Sequence, residues 1–264
     1  MMREIENLQQ EEFKILCQFR DYCEKHNLKY YLEGGTLIGA IRHKGFIPWD
    51  DDIDTIMPRQ DYERLIELTK TEPIGENLII VTRDSGYPFR YPYLKICNCK
   101  TILYEGDQLE ETGIFIDVFP IDGANNSPKK ISVQYKFMDA IKVLENYAWM
   151  SEETLSKLPL RKRFRAKICQ WLGKDFWRKW LDKIFMRYEF GKTEYVSQIA
   201  WSDILVYNKT EEYLKQIQLE FEGEYFTGPS CYDERLTMMY GDYMTLPPED
   251  KRQAKHSIKA YWKE

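Results

Sequence analysis

The sequence predicts an α+β fold, a mixed sheet flanked by helices with a helical insertion or second lobe. Two observations lead there. Apolar patterns run in the order helix, strand, helix and then several strands, which is the order of an α+β domain. Residues 129–190 then form a long helical stretch that interrupts the strands. Composition supports a packed chain: of 264 residues, 43% are hydrophobic and 31% charged, which excludes disorder and fibrous repeats.

The first element is an amphipathic helix over residues 3–26, with Ile5, Leu8, Ile15, Leu16, Phe19 and Cys23 at 3–4 spacing. Tyr30, Tyr31 and Leu32 make a short apolar strand running into Gly34, Gly35 and Thr36. Residues 37–41 suit a brief helix that ends near Lys44 and Gly45. The alternation from Asp50 to Met57 predicts a strand, which Pro58 ends, and residues 60–70 return to helix. Strands follow at 78–83, 91–104 and 113–121. Gly123 to Pro128 reads as a loop, residues 129–150 as a helix, and 155–190 as a second long helical region. Short strands and helices fill the remainder, without an internal repeat.

Several classes drop out. A net charge of −5 gives no general reason to seek nucleic acid. No stretch approaches the ~18–20 apolar residues of a spanning helix. The start, Met1-Met2-Arg3-Glu4, leads into charged residues rather than a signal-peptide core, so a cytoplasmic location is expected. Six scattered cysteines in a chain of this size are expected as reduced thiols, and three dispersed histidines suggest no zinc site.

The most informative feature is Asp50, Asp51, Asp52 and Asp54 within five residues. On a strand Asp52 and Asp54 project to one face, with Asp50 at the strand's start on the same side. Carboxylates held that close repel one another unless a proton or cation intervenes, and hard divalent cations such as Mg²⁺ or Mn²⁺ suit oxygen ligands. Ile53, Ile56 and Met57 tie the acids to a packed segment, which argues against a merely solvated acidic turn. Gly34-Gly35-Thr36 lets backbone approach a ligand closely, ahead of a helix N-terminus suited to phosphate. Arg42 and Lys44, between this turn and the acids, extend it into a phosphate cradle; ordinary surface charge is their bland reading. Asp117 lies between Ile116 and Val118, where an acid is costly unless paired or metal-bound. Asp122 reads as a turn residue. Asp52, Asp54 and Asp117 thus form a metal-binding triad suited to in-line phosphoryl transfer.

The run Glu33-Gly34-Gly35-Thr36, through Gly39 and Arg42 to Pro48-Trp49-Asp50-Asp51-Asp52-Ile53-Asp54, resembles the signature of the LicD family. Members are phosphocholine transferases of bacterial surface polysaccharides, with fukutin-type phosphosugar transferases as distant relatives. The likeness continues from Gly113 to Pro120, at Phe221-Glu222-Gly223, and at Tyr240-Gly241-Asp242-Tyr243-Met244 with Leu246-Pro247-Pro248. It implies a nucleotidyltransferase-like fold, in which Gly34-Gly35 is the turn, Asp52 and Asp54 the paired acids and Asp117 the third. The gap between turn and acids is longer than in typical members of that superfamily, which leaves open whether Asp50 or Asp52 leads the pair. Residues 1–128 would then be the catalytic core, 129–192 a helical basic-aromatic insertion, and 193–264 a part completing the active site.

The resemblance further implies a CDP-choline donor, a hydroxyl acceptor on a lipid-linked glycan such as a teichoic acid or lipopolysaccharide precursor, and release of CMP. Asp117 would complete metal coordination and help deprotonate the hydroxyl. Thr36, Arg42 and Lys95 are the candidates for phosphate contact. Choline has no N–H to donate, so aromatic faces must hold it: Trp49 first, then Tyr240 and Tyr243, with Asp242 as an acid nearby. A same-fold transferase moving ribitol phosphate or a nucleotide is the nearest alternative. A catalytically silent nucleotide- or choline-binding module is the other.

Residues 161–192 hold eleven Lys/Arg against three acids, leaving the rest of the chain at −13. Phe164, Ile168, Trp171, Leu172, Phe176, Trp180, Ile184 and Tyr188 recur there at helical spacing. Two readings stand side by side. One is a soluble lobe with its apolar stripe in the core. The other is a peripheral contact with the inner face of the cell membrane through 161–190.

Overall fold

The computed structural model describes residues 3–4, 7–87, 89–105, 108–110, 112–200, 204–254 and 258–263. It opens with a two-residue strand β1 (Arg3–Glu4), followed by helix α1 (Leu8–Lys25). The helix expected over 3–26 therefore starts later. Asn7 caps it by accepting the Gln10 N–H, and Arg3 and Glu4 instead pair with the last strand of the chain. A partner that distant in sequence leaves no mark on local periodicity.

Next come β2 (Tyr31–Leu32), α2 (Gly34–Arg42), β3 (Asp54–Pro58) and α3 (Arg59–Thr69). Strands β4 (Leu78–Val81), β5 (Leu94–Asn98), β6 (Thr101–Glu105), β7 (Gln108–Glu110) and β8 (Phe115–Ala124) follow. The helical segment comprises α4 (Pro128–Trp149), α5 (Glu152–Ser156), α6 (Leu160–Leu172) and α7 (Lys174–Phe185). The chain continues through β9 (Tyr195–Ser197), β10 (Tyr207–Lys209), α8 (Thr210–Leu214), β11 (Gln216–Phe221) and β12 (Glu224–Pro229). It closes with α9 (Tyr232–Tyr240), a 3₁₀ turn (Glu249–Lys251) and β13 (Ile258–Trp262).

β8 is the spine of a mixed seven-stranded sheet. On one side it runs parallel to β3, beyond which lies antiparallel β2. On the other, its first half pairs antiparallel with β5 and its second half with β9. Buried on both faces, β8 reads as a near-continuous apolar run, which is why its strand character shows so plainly in the sequence. A second sheet, in the order β1-β13-β6-β7, joins the two ends of the chain, and β11–β12 form a separate hairpin. Its turn residues Glu222 and Gly223 take φ values of +52° and +80°, the left-handed pair of a two-residue hairpin turn. Hairpin residues Phe221 and Phe226 pack on Phe13 of α1, which buries Ile15, Leu16, Phe19 and Cys23 in the same core.

Three further expectations change. The stretch 91–104 is two strands in different sheets, broken where the Asn98 side chain accepts the Lys100 N–H in a tight turn. The region 155–190 is three helices rather than one, interrupted at Pro159 and at Gly173, whose φ is +85°. Asp122 is a strand residue of β8, not a turn residue. Within the helical segment α6 and α7 pack on α4, burying Met138, Ala148, Cys169, Trp177, Leu181 and Phe185 in two small clusters. Among the described residues no helix is long and apolar enough to cross a membrane.

Candidate active site

The site is built where β2 turns into α2 against the start of β3. Glu33 donates its backbone N–H to the Asp54 carbonyl at 3.0 Å, and the Thr36 hydroxyl accepts the Asp54 N–H at 2.9 Å. The turn therefore clamps the backbone of Asp54 from both sides, and Thr36 is buried in doing so. Gly34 has φ +54°, which an L side chain resists, and a Cβ there would sit 2.8 Å from Asp54 Oδ2. A Cβ on Gly35 would sit 2.5 Å from Asp50 Oδ2. Two carboxylates thus rest directly on the bare backbone of the glycine pair.

Asp54 and Asp117 are register partners across the parallel β3–β8 ladder, and Asp117 is in turn the partner of Lys95 on β5. Lys95 Nζ lies 3.4 Å from Asp117 Oδ1 and over the Phe115 ring. Burial first, then the charges of Asp52, Asp117, Asp50 and Glu33, hold the Asp54 carboxyl well above the usual carboxylate range. The expected strand from Asp50 begins only at Asp54, so the same-face alternation of Asp50, Asp52 and Asp54 does not apply. Residues 50–53 form a loop instead. Asp50 turns back to donate to the Ile47 carbonyl, and the Gln9 side-chain amide on α1 donates to the carbonyls of Asp50 and Ile47. Consecutive aspartates are poor strand formers, so the loop prevails. It nevertheless gathers the acids: Asp50, Asp51 and Asp52 each present an oxygen within 4.8 Å of the others.

Two buried groups beside this cluster escape a motif search. Glu12 on α1 is buried, and its carboxyl is held well above the usual range, first by desolvation and then by Asp52, Asp51, Asp50 and Asp117. The signal was available, since Glu12 falls on the same helical stripe as Leu8, Ile15, Leu16 and Phe19. The second is Arg235 on α9, fully buried, whose Nε and Nη2 donate to both carboxylate oxygens of Glu33 at 2.6–2.9 Å. Gln198 and Asn208 accept further N–H groups of the same guanidinium. No local pattern marks that pair.

The remaining expected site residues sit as follows. The phenol end of Tyr240 reaches the glycine turn, with its hydroxyl 3.5 Å from where a Gly34 Cβ would lie. Desolvation, then Asp54, Glu33 and Asp50, push that phenol up. The Arg42 guanidinium donates to His43 and to the Tyr243 carbonyl, while Lys44 is exposed with φ +60°. Trp49 packs on the core and carries the Arg252 guanidinium 5.8 Å from its ring centroid. Tyr243 is buried and donates to Asp233, and the Asp242 carboxylate accepts from the Thr245 N–H and hydroxyl. Asp122 is paired bidentately with Arg59. Tyr93, whose ring stacks on Tyr91 and tilts against Phe119, is pushed up first by burial and then by Asp117 among other charges.

Residues 27–163 match the family model described as LicD/FKTN/FKRP, nucleotidyltransferase domain. The lipopolysaccharide cholinephosphotransferase LicD of Haemophilus influenzae is 34% identical over 256 residues, 94% of each chain. The chain belongs to the LicD/FKTN/FKRP family. An uncharacterized protein of Rickettsia prowazekii is 41% identical over 64 residues, 24% of each chain. The human ribitol 5-phosphate transferase FKRP is 55% identical over 31 residues, 12% of this chain and 6% of that one. In this LicD-family chain, carboxylates from a loop, from β3 and from β8 converge beside a glycine turn at a helix N-terminus. Of these, Asp50, Asp51 and Asp52 present oxygens close enough together, within 4.8 Å of one another, to fit a hard divalent cation.

Proposed function

We propose that the protein transfers phosphocholine from CDP-choline to a hydroxyl of a lipid-linked surface glycan, such as a lipopolysaccharide or teichoic acid precursor, releasing CMP. The likeness to the Haemophilus cholinephosphotransferase over 94% of both chains carries this reading. The core would have the nucleotidyltransferase-like arrangement and act on the cytoplasmic side of the membrane.

Asp52, Asp54 and Asp117 would hold Mg²⁺ or Mn²⁺, with Asp50 alongside. Bound there, the cation supplies charge compensation for the diphosphate and the departing CMP. The backbone of Gly34 and Gly35, free of Cβ atoms, lets the donor phosphates approach the α2 N-terminus. Lys95 adds positive charge next to Asp117, and Asp117 takes the proton of the attacking hydroxyl. Thr36 acts through Asp54, whose backbone it fixes. For the trimethylammonium head, Tyr240 offers an aromatic face; the Trp49 and Tyr91 rings already hold the Arg252 and Arg90 cations, and Tyr93 is buried against its aromatic neighbours.

CMP release from CDP-choline, measured with Mg²⁺ and with EDTA, tests the proposal. Metal-dependent release supports it. Release from CDP-ribitol but not CDP-choline would favour the ribitol phosphate reading, which the short FKRP likeness motivates. Binding without release would leave a silent module.

A further inference from the structure

Helix α6 has its apolar stripe on the wrong side for a soluble helix. Its inward residues are the small Ala166 and Cys169, with Leu172 at the end of the helix partly buried against the same cluster as Cys169. The other four large apolar residues point outward: Leu160 is 83% exposed, Phe164 69%, Ile168 43% and Trp171 83%. Their spacing of four, four and three residues places them within an arc of roughly 80° on the helix. Arg161 and Arg165 border that arc on one side, Arg163 and Lys167 on the other, and all four are exposed. The helix contains no acid. Among the described residues, only Lys167 of these four cations has an ion-pair partner, Glu152.

An outward apolar arc bordered by cations matches a lipid surface, with side chains among the acyl boundary and guanidinium groups at the phosphates. A protein partner would have to bury the same arc while supplying several acids around it. A polyanion such as nucleic acid would use the cations and leave Leu160, Phe164 and Trp171 without purpose. Charge decides between them: five basic residues fall within 161–167, in a chain of net charge −5. We propose that α6 lies flat on an anionic bilayer and docks the protein there, inserting Leu160, Phe164, Ile168 and Trp171. The inference is independent of the donor chemistry; the surface would bind lipid whichever group the acid cluster transfers.

The test is flotation of the full-length protein with phosphatidylcholine vesicles and with vesicles containing phosphatidylglycerol. Binding to the anionic vesicles that weakens with salt is expected, with little to the neutral ones. Phe164→Ser with Trp171→Ser should abolish flotation, with an unchanged melting temperature because both side chains are already in solvent. Reversing Arg161, Arg163, Arg165 and Lys167 to Glu should weaken partition by at least about a hundredfold, from roughly fivefold per basic residue at the surface. Three results would overturn the proposal: no binding of the folded wild type, full binding by the Phe164→Ser/Trp171→Ser protein, or a dimer that this double change dissociates without any vesicle binding. The last would assign the face to a second copy of the chain.

Discussion

Arg235 and Glu33 stand 202 residues apart in sequence, yet they form a buried bidentate pair directly beneath the glycine turn. Glu33 immediately precedes Gly34, and its backbone N–H holds the Asp54 carbonyl. The pair therefore fixes both the start of α2 and the carboxylate that β3 contributes. Removing one partner leaves a buried charge without compensation, at a cost of about 3–5 kcal/mol. Arg235→Met and Glu33→Gln should each lower urea stability by that order, and the double variant by less than the sum of the two. Additive losses in the double-mutant cycle would mean that the two residues act separately.

For the acid cluster, Asp52→Ala, Asp54→Ala and Asp117→Ala should each reduce CMP release by about a hundredfold or more, since a lost metal ligand removes several kcal/mol of charge stabilisation. Circular dichroism and melting should stay near wild type. Asp122→Asn is the contrasting case. It breaks the bidentate Arg59 pair on the same strand, so stability should fall with turnover per folded molecule retained. An active Asp117 variant would remove that residue from the proposed chemistry.

What the sequence displays of this site depends on where the partners lie. The glycine turn and the aspartates are legible because they sit within one 22-residue run, 33–54, and Asp117 because an acid inside an apolar strand is conspicuous. The strand geometry of Asp50 and Asp52 is misleading, since alternation with one isoleucine resembles a strand while the Gln9 amide and the Ile47 turn shape a loop. Arg235 is invisible for the opposite reason: on α9 it looks like any helical arginine until the fold brings it to Glu33. The helical segment follows the same logic. Periodicity shows amphipathic helices, but only packing reveals which face of α6 meets α4.

Stability without metal should fall as pH rises. Glu12 and Asp54 both have folded-state values above those of the unfolded chain. Between the ordinary carboxylate range and the raised values, the folded protein binds more protons than the unfolded one, so unfolding free energy decreases with pH. Mg²⁺, which in the proposed function is held by the folded site alone, should offset the loss at pH 7.5 more than at pH 5. Urea melts of wild type and Glu12→Gln in EDTA isolate the Glu12 part. The variant should show the shallower fall, and identical slopes would mean that Glu12 titrates normally.

Donor selection should depend more on Tyr240 than on Trp49. A cation over an aromatic face gains roughly 0.5–2 kcal/mol, so Tyr240→Leu should raise the KM for CDP-choline several-fold to tenfold. CDP-ethanolamine, whose N–H donors a ring leaves unpaired, should be affected less. Trp49→Ala should change both donors equally, because its ring face is occupied by Arg252. A choline-selective loss in the Trp49 variant instead would place the head group there.

Gly35→Ala separates the role of Asp50 from the stability of α2. Within a helix Ala is favoured over Gly by up to about 1 kcal/mol, and Gly35 has no left-handed φ to lose, so the fold should tolerate the change or gain slightly. The new methyl would, however, sit 2.5 Å from Asp50 Oδ2 and 3.3 Å from its Cγ. The carboxylate must swing away, and it lies at the end of a side chain that can move. Asp50, Asp51 and Asp52 now present oxygens within 4.8 Å of one another, and that grouping would open. The expected signature is therefore an unchanged or higher melting temperature combined with a Mg²⁺ requirement raised several-fold in the CMP-release assay. Asp50→Asn should raise the Mg²⁺ requirement in the same way, without adding bulk at the turn. If Gly35→Ala lowers turnover but leaves the Mg²⁺ titration unchanged, the glycine serves donor approach and Asp50 stands outside the metal site.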